Sequence, residues 1–183
     1  MRLVLASSSP RRRELLSKIT TDFEIIPSAV EENPTATIPT EVVQELASLK
    51  AHSVHASNPD AIVIGCDTVV DLCGQILGKP HTFAHAKQML HALSGRTHFV
   101  HTGVCIIYQR QVFTFCDSTA VTFRQLTDAE IDSYVNSGLA MDKAGAYGIQ
   151  ECGFVDSYDG SYDNVVGFPT DRVRTILDTL MKG

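Results

Sequence analysis

The first third of the chain alternates short apolar runs with apolar residues at helical spacing. Residues 3–6 form a continuous apolar run, which is typical of a strand buried on both faces of a sheet. Ser9 and Pro10 follow as a good N-cap and a good first helical residue, so we predict a strand, a tight polar turn and a helix. The elements predicted in this part are a strand over 3–6, a helix ending near residue 20, a strand over 23–26, a polar loop over 27–39 and an amphipathic helix beginning near residue 40.

The rest of the chain continues with strands and helices in mixed order. Residues 61–66 are typical of a central buried strand, with Asp67 and Thr68 at its end. Thr127 and Glu130 match a capping box, which predicts the start of a helix. Strands that alternate with helices predict an α/β fold. The other elements predicted here are a hairpin return at 73–74, a helix over 83–93, an antiparallel hairpin of 99–108 and 112–123, loops with short strands over 145–167 and a helix over 171–182.

The composition is that of a globular protein with a large core. The 183 residues are 44% hydrophobic and 20% charged, with a mean hydropathy of +0.03. A chain of this length buries roughly 70% of the surface that its unfolded form exposes. We expect one domain over residues 1–183, or two tightly joined lobes, because no repeat, low-complexity tract or linker interrupts the pattern.

Charge and cysteine content argue against several classes of protein. The net charge of −6 and the pI near 5.6 disfavour a protein that coats nucleic acid through a basic surface. The five cysteines form no CxxC pair, which favours reduced thiols in the cytoplasm over a disulfide framework or a zinc knuckle. No apolar run has the length of a signal-peptide core or a membrane span, so we expect neither secretion nor membrane insertion.

The predicted turn from strand to helix combines serine hydroxyls with arginine side chains. Free backbone N–H groups and the positive end of the helix dipole make such a turn suited to phosphate. Arg11, Arg12 and Arg13 fall in the first helical turn, where each exposed cation opposes the dipole by about 0.3 to 1 kcal/mol and so favours a bound anion. Arg11 and Arg12 also lean towards the apolar face of this helix. The alternative is a capped helix with a solvated basic turn.

Lys50 and Asp67 are the next candidates, each with a structural alternative. Lys50 lies on the apolar stripe of its helix, where a lysine either meets an anion or extends its ammonium into water. Asp67 follows the most apolar run, and a carboxylate there could bind a divalent cation, accept a proton from an attacking water or cap a turn. Lys79, after the hairpin, and Glu31 and Glu32, in a loop, are further candidates, with a turn and surface charges as the alternatives.

Histidine spacing and the usual nucleotide motifs indicate no competing site. Histidines three or four residues apart occur, as at His98 and His101, but none belongs to an HExxH motif or accompanies an aligned cysteine pair. P-loop, dinucleotide-binding and nucleophile-elbow motifs are absent from the sequence. A phosphate turn, inward-leaning cations and a carboxylate therefore favour hydrolysis of a phosphate anhydride, in which cations neutralise the polyphosphate and the carboxylate activates water.

Five segments add a more specific signal. They are 3–16 (LVLASSSPRRRELL), 65–70 (GCDTVV), 78–80 (GKP), 93–95 (LSG) and 142–150 (DKAGAYGIQ). They occur in order along nearly the whole chain, and several are long enough to be specific. Together they resemble the motifs of the Maf family of nucleoside triphosphate pyrophosphatases.

This resemblance implies a fold and a reaction. The fold is α/β and of the inosine-triphosphatase-like kind, with an elongated, mixed and strongly twisted sheet, flanking helices and a cleft between two lobes, often as a homodimer. The reaction cleaves a nucleoside triphosphate between the α and β phosphates, with Mg²⁺ or Mn²⁺, to a nucleoside monophosphate and pyrophosphate. On this expectation the protein is a cytoplasmic hydrolase that cleans nucleotide pools and has no nucleic-acid or membrane partner.

The resemblance also implies roles for individual residues. Asp67 would be the proton acceptor for the attacking water. Glu32 would assist the metal, and Asp67 is a second candidate ligand for it. The residues implied to hold the triphosphate are Ser7, Ser9, Arg11, Arg12, Lys50 and Lys79.

Substrate choice follows from three further matches in the resemblance. Arg11, Thr68 and Gln150 are the residues found at these positions in the branch that acts on dTTP and UTP. The branch that acts on 7-methyl-GTP has Trp, Gln and Glu there. The neutral amide of Gln150 can donate to and accept from a uracil or thymine edge, whereas a carboxylate favours a cationic methylated guanine. We therefore expect hydrolysis of dTTP, UTP and modified pyrimidine triphosphates.

A second hypothesis comes from a different class of function. The family is also associated with septum formation and cell division, so the chain could be a nucleotide-binding regulator in which hydrolysis is incidental. The presence of Asp67, Lys50 and Lys79 together favours the enzyme.

Overall fold

The computed structural model describes residues 1–182 and contains a seven-stranded sheet with helices on its connections. The strands are β1 (Leu3–Leu5), β2 (Glu24–Ile25), β3 (Ile62–Leu72), β4 (Gln75–Leu77), β5 (Thr97–Tyr108), β6 (Gln111–Phe123) and β7 (Val155–Asp159). The helices are α1 (Pro10–Ser17), α2 (Pro39–His55), α3 (Phe83–Leu93), α4 (Asp128–Asn136), α5 (Tyr162–Val166) and α6 (Thr170–Lys182), with a 3-10 turn at Ala144–Ala146. None of the helices within residues 1–182 combines the length and the apolar character needed to cross a bilayer.

The sheet is mixed, with strand order β2-β1-β3-β5-β6-β7 and β4 paired with β3. β1 runs parallel to β2 and β3, and Leu5 lies opposite both Ile25 and Ile64. β4 and β7 run antiparallel to β3 and β6. Parallel strands joined through helices, together with antiparallel hairpins, are the pattern that the sequence analysis predicted. The prediction of an α/β fold with a mixed sheet is confirmed.

The chain divides into two compact units. Unit 1 comprises Met1–Asp67, Thr102–Asp117 and the C-terminal residues from Gly167. Unit 2 comprises Thr68–His101 and Ser118–Val166. Strands β3, β5 and β6 each contribute residues to both units. The expectation of one domain over residues 1–183 stays a prediction.

One strand boundary differs in a way that concerns a candidate residue. The sequence analysis placed Asp67 at the end of its strand, and this is wrong because β3 continues to Leu72. The strand continues because its last three residues pair with β4 across the hairpin. The neighbouring strand is shorter, since β1 ends at Leu5 opposite Ile64. Asp67 therefore lies inside β3 but beyond its last pair with β1.

Two other regions also differ from their predictions. α1 ends at Ser17 and not near residue 20, because the next N–H, that of Lys18, already bonds back to Leu15 O at 3.1 Å in a tightened final turn. The segment 145–167, predicted as loops and short strands, contains β7 but also the short helix α5. That helix begins where Ser161 Oγ accepts a hydrogen bond from the Asn164 N–H at 3.2 Å.

In unit 1, α2 packs directly on the sheet at two glycines. A Cβ atom at Gly65 on β3 would collide with the carbonyl oxygen of Ala47 and lie 2.7 Å from the Ala51 nitrogen. A Cβ atom at Gly103 on β5 would collide with the carbonyl oxygen of Val43. Because neither position has room for a side chain, the helix backbone lies against the sheet backbone and its later turns are fixed relative to β3.

Unit 2 has its own core, and a histidine is buried in it. His98 is 1% exposed and its Nε2 lies 2.8 Å from the Tyr147 hydroxyl. The ring of Phe123 contacts it edge-on, with 5.0 Å between centroids. Among the described residues, Nδ1 of His98 has no hydrogen-bond partner. Burial lowers the pKa of His98 to about 4, so this side chain is neutral at pH 7.

The close approach at Gly65 predicts a sharp effect of a small substitution. We expect Gly65→Ala to lower the free energy of unfolding by about 3 kcal/mol, because the added methyl group meets helix backbone that cannot rotate away. The measurement is urea denaturation followed by circular dichroism. Gly78→Ala is the matched control, since a Cβ atom there has no atom within 4 Å. Equal stability of the two variants would contradict the packing described.

The buried His98 predicts a pH dependence of stability. The unfolded chain accepts a proton near pH 6.5 and the folded chain only near pH 4, so the stability due to neutral His98 is full above pH 6.5 and is lost as the pH falls towards 4. Between pH 7 and pH 5 the loss amounts to about 2 kcal/mol. Urea denaturation at both pH values should show this loss in the wild type and a smaller one in His98→Gln. An equal loss in both proteins would show that other groups cause it.

Candidate functional site

The turn between β1 and α1 is organised by its own serines. Ser9 is the N-cap of α1, and its hydroxyl accepts a hydrogen bond from the Arg12 N–H at 3.4 Å. Pro10 is the first helical residue, as predicted. The Ser7 hydroxyl accepts from the Ser9 N–H at 3.2 Å, although Ser7 itself is only 9% exposed. The turn is therefore fixed before any ligand binds.

The arginines of this turn differ in their surroundings. Arg13 is exposed, whereas Arg11 and Arg12 are half-buried. Arg12 donates from Nη1 to the Cys66 carbonyl oxygen at 2.9 Å and from Nε to the Gly167 carbonyl oxygen at 3.0 Å. The predicted inward lean of Arg12 is confirmed.

Lys50 and Asp67 form an ion pair with little solvent around it. Lys50 is on α2, and its Nζ lies 2.6 Å from Oδ1 of Asp67 on β3. Each of the two side chains is 12% exposed. The ammonium is thus held by a carboxylate and is not extended into water, which was the alternative for a lysine on the apolar stripe.

A second carboxylate meets the same ammonium. Oε1 of Glu32 lies 3.0 Å from Nζ of Lys50, and the Glu32 side chain is 53% exposed. The neighbouring Glu31 has a different partner, since its Oε2 accepts from Asn33 Nδ2 at 3.2 Å. Lys50 therefore joins two carboxylates that come from a loop and from a central strand.

Cys66 precedes Asp67 and is fully buried. Burial raises the pKa of its thiol to about 12, although the cationic side chains of Arg12 and Lys50 act in the opposite direction. A thiol with this pKa is neutral at pH 7. Cys66 is therefore part of the packing below the carboxylate and not a nucleophile.

The donor set fits a divalent cation that binds together with a phosphorylated ligand. Residues 1–182 contain no group of three or more His, Cys, Asp or Glu side chains that could hold a metal alone. Asp67 and Glu32 do converge on one positive charge, that of Lys50. Mg²⁺ commonly takes one or two protein carboxylates and completes its coordination with waters and substrate phosphates.

The other predicted site residues belong to unit 2. Thr68 follows Asp67 directly on β3. Lys79 is exposed in the loop after β4, where the Gly78 carbonyl oxygen accepts from the Gly145 N–H at 3.1 Å. Gln150 is exposed in a turn that follows the 3-10 segment. Within unit 1, hydrogen bonds connect Ser7, Ser9, Arg12 and the Cys66 carbonyl group, and ion pairs connect Glu32, Lys50 and Asp67. Thr68, Lys79 and Gln150 lie in unit 2.

The turn that carries Gln150 is anchored by residues that the sequence analysis missed. Lys143 is buried and its Nζ lies 2.6 Å from the Leu139 carbonyl oxygen and 3.1 Å from Oε1 of Glu151. The Tyr134 hydroxyl donates to the same Glu151 oxygen at 3.3 Å and accepts from the Gly148 N–H. The charged pair Asp142-Lys143 within an otherwise small and apolar segment was the available signal.

The histidine spacing noted above has a structural explanation at His101. Its Nδ1 lies 2.7 Å from the Ser118 hydroxyl and its Nε2 lies 3.4 Å from Oδ2 of Asp71. These residues lie on β6, β5 and β3, which are neighbours in the sheet. The two contacts satisfy both nitrogens of a buried ring, and within residues 1–182 no histidine pair takes part in a metal-binding group.

Comparison with known proteins gives a match over almost the whole chain. A family model described as "Maf-like protein" matches residues 2–180. A Bacillus cereus (strain AH820) protein named dTTP/UTP pyrophosphatase is 50% identical over 175 residues, which cover 94% of this chain and 92% of the relative. A Bacillus anthracis protein of the same name matches to the same extent.

A solved structure supports the fold independently of close sequence similarity. The Staphylococcus aureus Ham1 protein matches with a TM-score of 0.58 and 14% sequence identity, over 98% of this chain and 99% of that chain. At this identity the likeness shows the fold alone. The α/β architecture predicted from the sequence is thereby confirmed by a second route.

The Lys50–Asp67 ion pair predicts a measurable coupling energy in a double-mutant cycle on the free energy of unfolding. We expect Lys50→Met to lower the free energy of unfolding at pH 7 by about 3 kcal/mol, because a largely buried carboxylate loses its counter-charge. Combining it with Asp67→Asn should cost less than the sum of the single effects, by about 1 to 3 kcal/mol. Urea denaturation of the four proteins measures this coupling.

The control for this cycle is the ion pair of Lys87 and Asp132. Its atoms are also 2.6 Å apart, but the side chains are 35% and 52% exposed. We expect a coupling below about 1 kcal/mol for this pair, since water screens it. A coupling for Lys50 and Asp67 no larger than the control would contradict the buried pair.

Proposed function

The chain belongs to the Maf family, and from that premise we propose that it hydrolyses dTTP and UTP to the nucleoside monophosphate and pyrophosphate. Relatives that carry the name dTTP/UTP pyrophosphatase are 50% identical over 94% of the chain, which supports this substrate class. The observation that supports the chemistry is the Lys50 ammonium, which joins the carboxylates of Asp67 and Glu32. Arg12 of the turn before α1 donates to the carbonyl oxygen of Cys66, the residue before Asp67.

Cleavage between the α and β phosphates needs a proton acceptor for water and positive charge for the phosphate oxygens. Asp67 accepts the proton in this proposal. Its Oδ1 is held 2.6 Å from Lys50 Nζ, which fixes the orientation of the carboxylate and directs its chemistry to the second oxygen. Lys50 supplies positive charge for the phosphate oxygens at the same place.

The turn before α1 binds phosphate in this proposal. Ser7 Oγ accepts hydrogen bonds from the Ser9 N–H and from Arg12, so its own proton is available for a phosphate oxygen. Arg11 and the positive end of the α1 dipole add charge at the same turn. Lys79 is exposed and supplies a further cation for the triphosphate.

Asp67 and Glu32 are the residues that would hold Mg²⁺ or Mn²⁺. The cation, when bound with the nucleotide, neutralises phosphate charge and polarises the bond to be cleaved. Glu32 is half-exposed on its loop, so its carboxylate can leave Lys50 without loss of packing. Asp67 and Lys50 remain held by the sheet and by α2.

Base choice is assigned to Gln150, with Thr68 and Arg11. The Gln150 amide both donates and accepts, as the edge of uracil or thymine requires. Its turn is held by the neighbouring Glu151, which accepts hydrogen bonds from Lys143 and Tyr134. A fixed turn supports discrimination, because it holds the backbone from which the exposed Gln150 amide reaches the base.

The cellular setting is part of the same proposal. We assign the protein to the cytoplasm, in agreement with the cysteine pattern of its sequence, and to a homodimeric assembly. The function is then removal of unwanted pyrimidine triphosphates from the nucleotide pool.

The test is pyrophosphate release from dTTP, UTP, CTP, 5-methyl-UTP, GTP, 7-methyl-GTP and ITP with Mg²⁺ or Mn²⁺. We expect turnover of the uracil and thymine nucleotides, and in Asp67→Asn a loss of at least about 100-fold in kcat with nucleotide binding retained. Asp60→Asn, an exposed carboxylate in the same unit, is the matched control and should leave turnover unchanged.

Three results would count against the proposal. Turnover of 7-methyl-GTP would show that Arg11, Thr68 and Gln150 do not set base choice. Near-normal turnover by Asp67→Asn would remove Asp67 from its role. No turnover of any nucleotide, together with measurable binding, would support the alternative of a nucleotide-binding regulator.

A further inference from the structure

Arg12 donates hydrogen bonds to two backbone carbonyl groups and to one serine hydroxyl of the protein. Nη1 donates to the Cys66 carbonyl oxygen at 2.9 Å and to the Ser7 hydroxyl at 3.3 Å. Nε donates to the Gly167 carbonyl oxygen at 3.0 Å. One guanidinium thus connects the turn after β1, the strand β3 and the segment before α6, all within unit 1.

The bond to Cys66 replaces a missing backbone hydrogen bond of the sheet. The Ala6 N–H donates to the Ile64 carbonyl oxygen at 2.8 Å, after which the chain leaves the sheet. Carbonyl groups two residues apart on a strand face the same neighbour, so the next acceptor on this edge belongs to Cys66. Arg12 donates to it. The side chain therefore continues the β1–β3 pairing up to the residue before Asp67.

The hydrogen bonds of Arg12 to Ser7 and Gly167 fix its guanidinium to two further segments. The Ser7 hydroxyl that receives Nη1 also receives the Ser9 N–H, so Arg12 is tied to the same turn that it helps to begin. Gly167 is buried and has a φ of 116°, a conformation that favours glycine, and its carbonyl oxygen accepts from Arg12 Nε at 3.0 Å. The Arg12 guanidinium is therefore held through both Nε and Nη1.

We propose that Arg12 is a positioning residue, which fixes the Asp67 backbone relative to the phosphate-binding turn and does not itself bind the triphosphate. This inference rests on the proposed function. It gives Arg12 a different role from the one implied by the family resemblance and leaves phosphate binding to its neighbour Arg11. Three hydrogen bonds of Arg12 already go to Cys66, Gly167 and Ser7, and Cys66 directly precedes the proton acceptor Asp67.

A lysine at this position separates the two roles. An ammonium keeps the positive charge that a phosphate ligand needs, but it is a single point and cannot reproduce the planar fork that reaches separate acceptors. A positioning residue is therefore not rescued by lysine, whereas a residue that acts on phosphate by charge is rescued in part.

The experiment compares Arg12→Lys, Arg12→Gln and Arg11→Gln with the wild type. It measures kcat and KM for pyrophosphate release from dTTP, and the affinity and stoichiometry of a non-hydrolysable dTTP analogue by calorimetry. We expect kcat to fall about 100-fold in both Arg12 variants, as small displacements of a catalytic group do, with affinity within about threefold of the wild type and a stoichiometry near one. Arg11→Gln should instead weaken binding. Arg110→Lys, at the exposed tip of the β5–β6 hairpin, is the control and should match the wild type.

The possible results are distinct. An Arg12→Lys protein that binds the analogue at least about tenfold more weakly, or that recovers most of the wild-type kcat, overturns the positioning role while the proposed function stands. A stoichiometry that falls in proportion to kcat shows only partial folding and overturns it as well. If Arg12→Gln does not fold, Arg12→Lys decides alone. A wild type without turnover overturns the proposed function and this inference together.

Discussion

The approach of α2 to the sheet is the constraint on which the rest of the site depends. Gly65 and Gly103 present bare backbone to the helix, so no side chain separates the two layers. Lys50 lies one turn beyond Ala47, the residue that Gly65 meets, and Asp67 lies two residues beyond Gly65 on the same strand. The ion pair at 2.6 Å is thus a consequence of backbone contact and not only of the attraction between the two charges. Charged groups positioned by backbone packing keep their separation when the solvent or ligand around them changes.

Unit 1 contains several charged side chains close together, and each has a specific partner. Lys50 meets two carboxylates, and Arg12 meets carbonyl oxygens of segments far apart in sequence. Such groups cost free energy to bury and are tolerated when their hydrogen bonds are satisfied. The Lys50 and Asp67 side chains are each 12% exposed, whereas the Glu32 side chain that joins them is 53% exposed.

Local patterns predicted local structure well and contacts between distant residues less well. Ser9, Pro10 and the capping box at Thr127 were recognised because capping depends on residues within one turn. The partner of Lys50 could not be predicted from spacing. A lysine on an apolar stripe either meets an anion or extends into water, and the residue on the facing strand decides between them. Asp67 was placed at a strand end because the pairing of β3 with β4 is not visible in the apolar run. Lys143 was missed because its partners, the Leu139 carbonyl oxygen and the Glu151 carboxylate, lie in two turns whose approach is not visible in the sequence.

Cys66 also determines how the site responds to oxidants. Its thiol is inaccessible to solvent, and its pKa of about 12 leaves almost no thiolate at neutral pH. Peroxide reacts with the thiolate form of accessible cysteines. Cys66, next to Asp67, is therefore not oxidised to the sulfenic, sulfinic or sulfonic acid. Cys73 is the exposed cysteine of the described chain, and it lies in the β3–β4 turn in unit 2. Oxidative modification would therefore begin at that turn, leaving the strand that carries Asp67 chemically intact.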